Sequence, residues 1–236
     1  KQTNKDLIKT LKTFLSASHQ LSDAAFKKLS IEEKQFFTQN YMQLSHTIET
    51  SHQLINESNR EKIEIIVRLF EIASKVDYKK LELAARNWFQ LEQYDWSKIN
   101  FPKQKKEYST EFGSIIMGTY ADDIYYLDNK QKAIIIDPGG NDQYLKEGFY
   151  QSNQDLIIYN TAIIDLSGDD QYLSTANRGL SSAILGISLL VDKKGADSYM
   201  GKTWAQSSAF AGISILYDLS GDDTYKADSF SQASAL

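Results

Sequence analysis

Apolar residues fall into two rhythms along the chain. From residue 5 to about 94 they recur at three- and four-residue spacing, the signature of amphipathic helices. Leu7, Ile8, Leu11, Phe14 and Leu15 make the first stripe. Ser30 followed by Glu33 is a capping-box pattern ahead of Phe36, Phe37, Tyr41, Leu44 and Ile48. Asn59 is placed to cap a helix whose stripe is Ile63, Ile66, Leu69, Phe70 and Ala73. A last helix carries Leu81, Leu83, Ala84, Trp88 and Phe89. Four or five such helices predict a small α-helical bundle over residues 1–100. Its stripes are expected to pack on one another, with docking of a helix onto the end of the second half as another use.

Around Phe101-Pro102-Lys103 and the basic run to Lys106 the helical rhythm stops, so residues 101–112 are expected to be a solvated linker. Beyond it the apolar residues come in short β-branched runs: Ile134–Ile136, Ala162–Ile164, Ile187–Val191 and Ile213–Tyr217. Each run ends at one phrase, Asp-x-x-Gly-x-Asp-x-Tyr, found at Asp137–Tyr144, Asp165–Tyr172, Asp192–Tyr199 and Asp218–Tyr225. The leading aspartates are 28, 27 and 26 residues apart, a period that signals a stacked repeat. Trp204–Phe210 aligns with Phe230–Leu236 without a gap and supplies a third segment per repeat. Three short strands and three turns make one coil of a parallel β-helix, whose equivalent side chains form ladders at about 4.8 Å.

The fold class expected is therefore α+β: a helical bundle followed over residues 113–236 by a β-solenoid with 26–28-residue coils. A degenerate first coil is read at Ile115–Tyr125, which keeps Gly118, Asp122, Asp123 and Tyr125 but lacks the leading Asp. Leu236 falls inside a coil, so the natural protein is expected to continue past it, or the open end to pair with another chain in self-association. A chain that begins with Lys1 is read as a processed or truncated product. That reading suggests an extracytoplasmic location.

Charge sharpens the contrast between the halves. Residues 1–110 carry 18 Lys and Arg against 14 Asp and Glu, whereas residues 111–236 carry 8 against 17. A second half this acidic excludes nucleic acid as its partner. Fifteen of those 17 acids are Asp, the acid that bonds to its own turn backbone. No apolar run reaches the roughly 18 residues of a membrane-spanning helix. His19, His46 and His52 are scattered in the helical half without metal-ligand spacing.

The candidate chemistry lies at the corners. Gly140, Gly168, Gly195 and Gly221 are expected to take positive φ at a tight turn, and Tyr144, Tyr172, Tyr199 and Tyr225 to stack. Stacking also brings like charges together, in rows Asp137, Asp165, Asp192, Asp218 and Asp142, Asp170, Asp197, Asp223. Two answers to their repulsion stand open. Each carboxylate can accept backbone N–H bonds at its own turn, or the rows can hold Ca²⁺, with Asp169 and Asp222 as extra ligands. Asn141 offers an oxygen at the equivalent position and Ala196 none, which weakens a site at the third corner.

These corners, Gly140-Asn-Asp-Gln-Tyr144 and its Ser-Gly-Asp-Asp-x-Tyr siblings, resemble the repeats of uncharacterised bacterial Gly-Asp-Asp-x-Tyr proteins, in which a helical region also precedes the repeats. The resemblance covers residues 113–236 and implies an architecture without a known activity. A looser similarity links the corners to the nonapeptide calcium repeats of haemolysin-type toxins, from which the period of about 27 departs. Two functions follow as expectations. One is a non-catalytic, calcium-stabilised scaffold that binds a protein or glycan partner. The other is a polysaccharide lyase or hydrolase on a β-helix, with Asp170, Asp197, Arg178, Lys202 and Trp204 as candidate groups. Catalytic residues ordinarily break a repeat, whereas these acids constitute it, and that favours the scaffold.

Overall fold

The computed structural model describes residues 4–49, 60–127, 132–146 and 159–236. Asn59 and His52, and the side chains of His46 and Ile48, lie outside the described residues. Five helices come first: α1 (Asn4–Ala25), α2 (Ile31–Asn40), α3 (Met42–Glu49), α4 (Arg60–Ala73) and α5 (Tyr78–Phe89). The capping box forms as its sequence dictates, with Ser30 accepting from the Glu33 N–H while Glu33 takes the Ser30 N–H.

The second half is a β-solenoid. Strands β2 (Gly113–Met117), β4 (Lys132–Asp137), β6 (Tyr159–Asp165), β8 (Ser182–Asp192) and β10 (Ser208–Asp218) pair in parallel as one sheet. The short strands β3 (Ile124–Tyr126), β5 (Gln143–Lys146), β7 (Gln171–Ser174), β9 (Ser198–Met200) and β11 (Thr224–Lys226) form a second parallel sheet. Register places Asp137 beside Asp165, Asp165 beside Asp192 and Asp192 beside Asp218. The third segment is not a separate sheet. Of Trp204–Phe210 only Ser208–Phe210 is strand, and it runs on into the rest of β10 as Ser182–Ile184 runs on into β8. Pairing is interrupted at Leu185 and Ala211, both left-handed at φ 55° and 52°, while Phe230–Leu236 contributes only an isolated bridge of Ala235 to Ala209.

The expected linker is structured. Lys106–Thr110 forms β1, antiparallel to β2, so this polar strand covers the first edge of the larger sheet. β1 thereby replaces β2 as the edge, a short, largely exposed polar strand that is a poor template for further pairing.

The larger sheet is apolar on both faces because both are covered. Ile115, Met117, Ile134, Ile136, Ile164, Leu189 and Val191 share one core with the helices. The alternating residues Ile116, Ile135, Ile163 and Leu190 pack on Tyr125, Tyr144, Tyr172 and Tyr199 inside the solenoid. Thus the helices lie along the sheet rather than at its end: α1 touches β2 and β4, α2 touches β8, and α5 touches β8 and β10. Phe210 anchors this contact, with ring centroids 4.6 Å from Phe37 and 5.6 Å from Phe70.

Docking onto a sheet also revises two predicted stripes. Leu69, Ile72 and Ala73 bury the inner face of α4, while Ile63 and Phe70 remain 46% and 44% exposed. On α5, Leu81, Ala84 and Trp88 are buried and Leu83 is not. Spacing fixes which residues share a face, but the neighbour decides which edge of that face is covered.

Candidate metal centre

Each corner begins where a strand of the larger sheet ends in Asp. The glycine three residues later takes φ of 138° to 158° at Gly140, Gly168, Gly195 and Gly221. Its second requirement is space: a Cβ on Gly168 would lie 1.7 Å from the Gly140 carbonyl oxygen of the preceding coil. The coils therefore stack at these turns only because no side chain intervenes.

The first three leading aspartates, Asp137, Asp165 and Asp192, are fully buried and bonded in a constant way, whereas Asp218 is half-buried. Oδ1 of Asp137 accepts the Gly139 N–H at 2.7 Å, that of Asp165 the Ser167 N–H at 3.0 Å, and that of Asp192 the Lys194 N–H at 3.1 Å. These are the turn bonds expected from the sequence. Oδ2 accepts the tyrosine hydroxyl of the preceding coil: Tyr125 to Asp137, Tyr144 to Asp165 at 2.6 Å and Tyr172 to Asp192 at 2.6 Å. At the last copy Tyr225 instead donates to Asp218 of its own coil. The five rings stack at 4.5–4.8 Å, tilted by no more than 10°.

The second aspartates do not bond to their own turns. Oδ1 of Asp170 accepts the Asp142 N–H, that of Asp197 the Asp170 N–H, and that of Asp223 the Asp197 N–H, at 2.6–2.9 Å across coils. The other oxygen, Oδ2, meets no N–H or hydroxyl donor among the described residues in Asp142, Asp170 or Asp197, which are 1–2% exposed. Each of these carboxylates instead faces the leading carboxylate of its own corner, Asp137, Asp165 or Asp192. A buried, unsatisfied carboxylate oxygen is rare and calls for a partner.

The same three residues belong to groups of three carboxylates. Asp123, Asp137 and Asp142 bring carboxylate oxygens within 4.8 Å of one another. So do Asp142, Asp165 and Asp170; then Asp170, Asp192 and Asp197; then Asp197, Asp218 and Asp223. Two unit charges about 4.8 Å apart repel by about 3.5 kcal/mol at an effective dielectric near 20. Burial, with these neighbouring carboxylates adding to it, pushes Asp137 up to about 8, Asp165 to about 10, Asp170 and Asp197 to about 7 and Asp192 to about 6. Asp142 and Asp223 are raised in the same direction, also mainly by burial. The rows thus favour anything that removes negative charge, whether proton or cation.

An all-oxygen donor set suits a hard cation such as Ca²⁺. Three oxygens no more than 4.8 Å apart leave a point within about 2.8 Å of all three, close to the calcium–oxygen distance of about 2.3–2.6 Å. The residues present therefore fit a divalent ion.

Not every residue expected there belongs. Asp169 and Asp222 are exposed and outside all four groups. Asp169 instead accepts the Ala196 N–H at 2.9 Å, and Asn141 the Asp169 N–H at 3.0 Å, so this outer row ties neighbouring coils together through hydrogen bonds. Conversely, Asp123 joins the first group in the coil that lacks a leading Asp. Gly118 holds that position because a Cβ there would lie 2.0 Å from both the Asp137 carboxylate and the Tyr125 hydroxyl. The paired acids Asp122 and Asp123 ahead of Tyr125 were the signal for it. Lys105 was not legible: its ammonium lies 4.6 Å over the Tyr125 ring and 3.8 Å from Asp123, covering the first rung of both ladders.

The enzymatic candidates are not presented on an open face. Trp204 is fully buried against Tyr41, Phe210 and Phe230, so it cannot stack on a sugar. Arg178 is buried and donates to the Ile184 carbonyl at 3.2 Å. Asp170 and Asp197 lie in the inner row, and of the five only Lys202 is exposed. Comparison with family models, with curated proteins and with solved structures finds no match for this chain.

Proposed function

We propose that the protein is a non-catalytic scaffold, a rigid solenoid whose exposed faces bind a protein or glycan partner outside the cytoplasm. In this reading each coil spans 26–28 residues, Ca²⁺ holds the acidic corners, and the helices form a bundle that sheathes the larger sheet. The observation that carries it is the occupation of the acids. Asp137, Asp165 and Asp192 each accept a tyrosine hydroxyl and a turn N–H in a buried row, so that among the described residues this row presents no carboxylate pair to a cleft. General acid–base work needs a group that reaches substrate.

The test is twofold. The full chain, immobilised, is probed against glycan arrays and against candidate protein partners, and assayed on anionic and neutral polysaccharides. Saturable binding without turnover is the expected result. Polysaccharide cleavage that disappears in Asp170→Asn while the fold persists by circular dichroism would replace the scaffold with the lyase or hydrolase reading.

A further inference from the structure

We propose that the acidic corner binds a row of divalent cations, one in each of the four aspartate triplets, with Asp142, Asp170 and Asp197 each shared between consecutive ions. This deepens the calcium element of the scaffold reading and specifies stoichiometry, order and linkage. Two independent observations carry it. Oxygens from three carboxylates converge within 4.8 Å at four successive levels. Separately, the Oδ2 atoms of Asp142, Asp170 and Asp197 are buried without a donor among the described residues, and each of these three residues belongs to two triplets.

Sharing follows from the connectivity. Asp142 serves the first and second triplets, Asp170 the second and third, and Asp197 the third and fourth. Nine distinct aspartates make up the four triplets, so four divalent ions leave a single negative charge on the row. An isolated ion would leave most of the row uncompensated, and for that reason filling is expected to be linked between levels. The first three triplets are built mainly from buried carboxylates, whereas Asp218 and Asp223 of the fourth are only half-buried. The fourth ion therefore exchanges fastest.

Calcium fits this chemistry better than magnesium. Mg²⁺ requires near-octahedral geometry at about 2.0–2.1 Å and gives up its waters reluctantly, which disfavours a buried triplet. Zinc has no nitrogen or sulfur donor here.

The experiment uses the full chain, stripped with chelator and titrated with Ca²⁺ and, in parallel, Mg²⁺, by calorimetry and thermal melting. About four Ca²⁺ bound per chain, with a rise in Tm that Mg²⁺ does not reproduce, is expected, and two or fewer would overturn the shared row. Terbium is a second probe: the tyrosine hydroxyls bond the same carboxylates, so tyrosine excitation should give sensitised Tb³⁺ emission that Ca²⁺ displaces. Asp170→Asn removes a ligand shared by two levels and should cut the Ca²⁺ stoichiometry about in half, whereas Asp169→Asn, outside the triplets, should leave it unchanged. Should Asp170→Asn fail to fold, the wild-type stoichiometry still decides. Fewer than one Ca²⁺ bound at millimolar concentration with an unchanged Tm would overturn the proposal and assign neutralisation to protons. Equal loss in Asp169→Asn would overturn it too, by showing general surface attraction. Partner binding without calcium uptake sinks this inference and the calcium element it rests on but leaves the binding function standing, and calcium uptake without any partner sinks the binding function alone.

Discussion

In chelator, the chain should lose stability as pH rises from 5 to 8, opposite to the usual behaviour of a carboxylate-rich protein. The cause is the direction of the corner shifts. Asp137, Asp165, Asp170, Asp192 and Asp197 lie at about 8, 10, 7, 6 and 7 in the folded chain, against about 3.9 for an unfolded aspartate. Between those values the folded state binds more protons than the unfolded state. Their contribution is fully present below the unfolded value of about 3.9 and is lost as pH climbs through the folded values. If each of the pairs 137/142, 165/170 and 192/197 retains one proton, three protons are released on unfolding, a slope of about −4 kcal/mol per pH unit. Over three units that slope would amount to about 12 kcal/mol, most or all of a domain stability of about 5–15 kcal/mol, so either the slope flattens or the apo solenoid opens toward pH 8.

Two groups of charges act in the other direction. Glu33, depressed chiefly by its bond to Lys75, gives stability that is lost only as pH falls toward 4, below the window. His19, lowered by burial and then by Lys132, gains stability with rising pH, but it is one group against several. The assay is urea denaturation followed by circular dichroism at pH 5, 6, 7 and 8 in chelator, repeated in millimolar Ca²⁺. A flat or rising midpoint in chelator would refute the buried-carboxylate account. With calcium the sign should reverse, because the ion competes with protons for the same oxygens.

Three further outcomes are expected. Tyr172→Phe keeps the ring between Tyr144 and Tyr199 but removes the hydroxyl bonded to Asp192 at 2.6 Å, and should cost about 1.5–3 kcal/mol by chemical denaturation. Gly168→Ala puts a methyl 1.7 Å from the Gly140 carbonyl at φ 157°, so coil stacking should fail, seen as loss of the β signal or a Tm lower by more than 10 °C. Phe210→Ala empties the contact shared by Phe37, Phe70 and Trp204 and should cost about 3–5 kcal/mol. If the helices instead melt separately in wild type, with Phe210→Ala silent, they do not depend on the sheet.

The repeat was legible because a solenoid converts sequence period directly into spatial neighbours. Asp137, Asp165, Asp192 and Asp218 align in sequence and sit side by side in the sheet. The corner glycines, the stacked tyrosines and the Ser30 cap were likewise readable, since each depends on backbone geometry within a few residues or one coil. What only the tertiary structure decided was the relation between ladders. The period says that Asp165 stacks on Asp192 and Asp170 on Asp197, but says nothing about the distance between the two rows. That distance depends on how tightly each corner folds, and it places Asp123 in a triplet while leaving Asp169 and Asp222 outside. The same limit applies to the helices. Their stripes announced a buried face, but its partner, the outer side of the larger sheet, came from packing between residues far apart in the chain, where no local pattern records the choice.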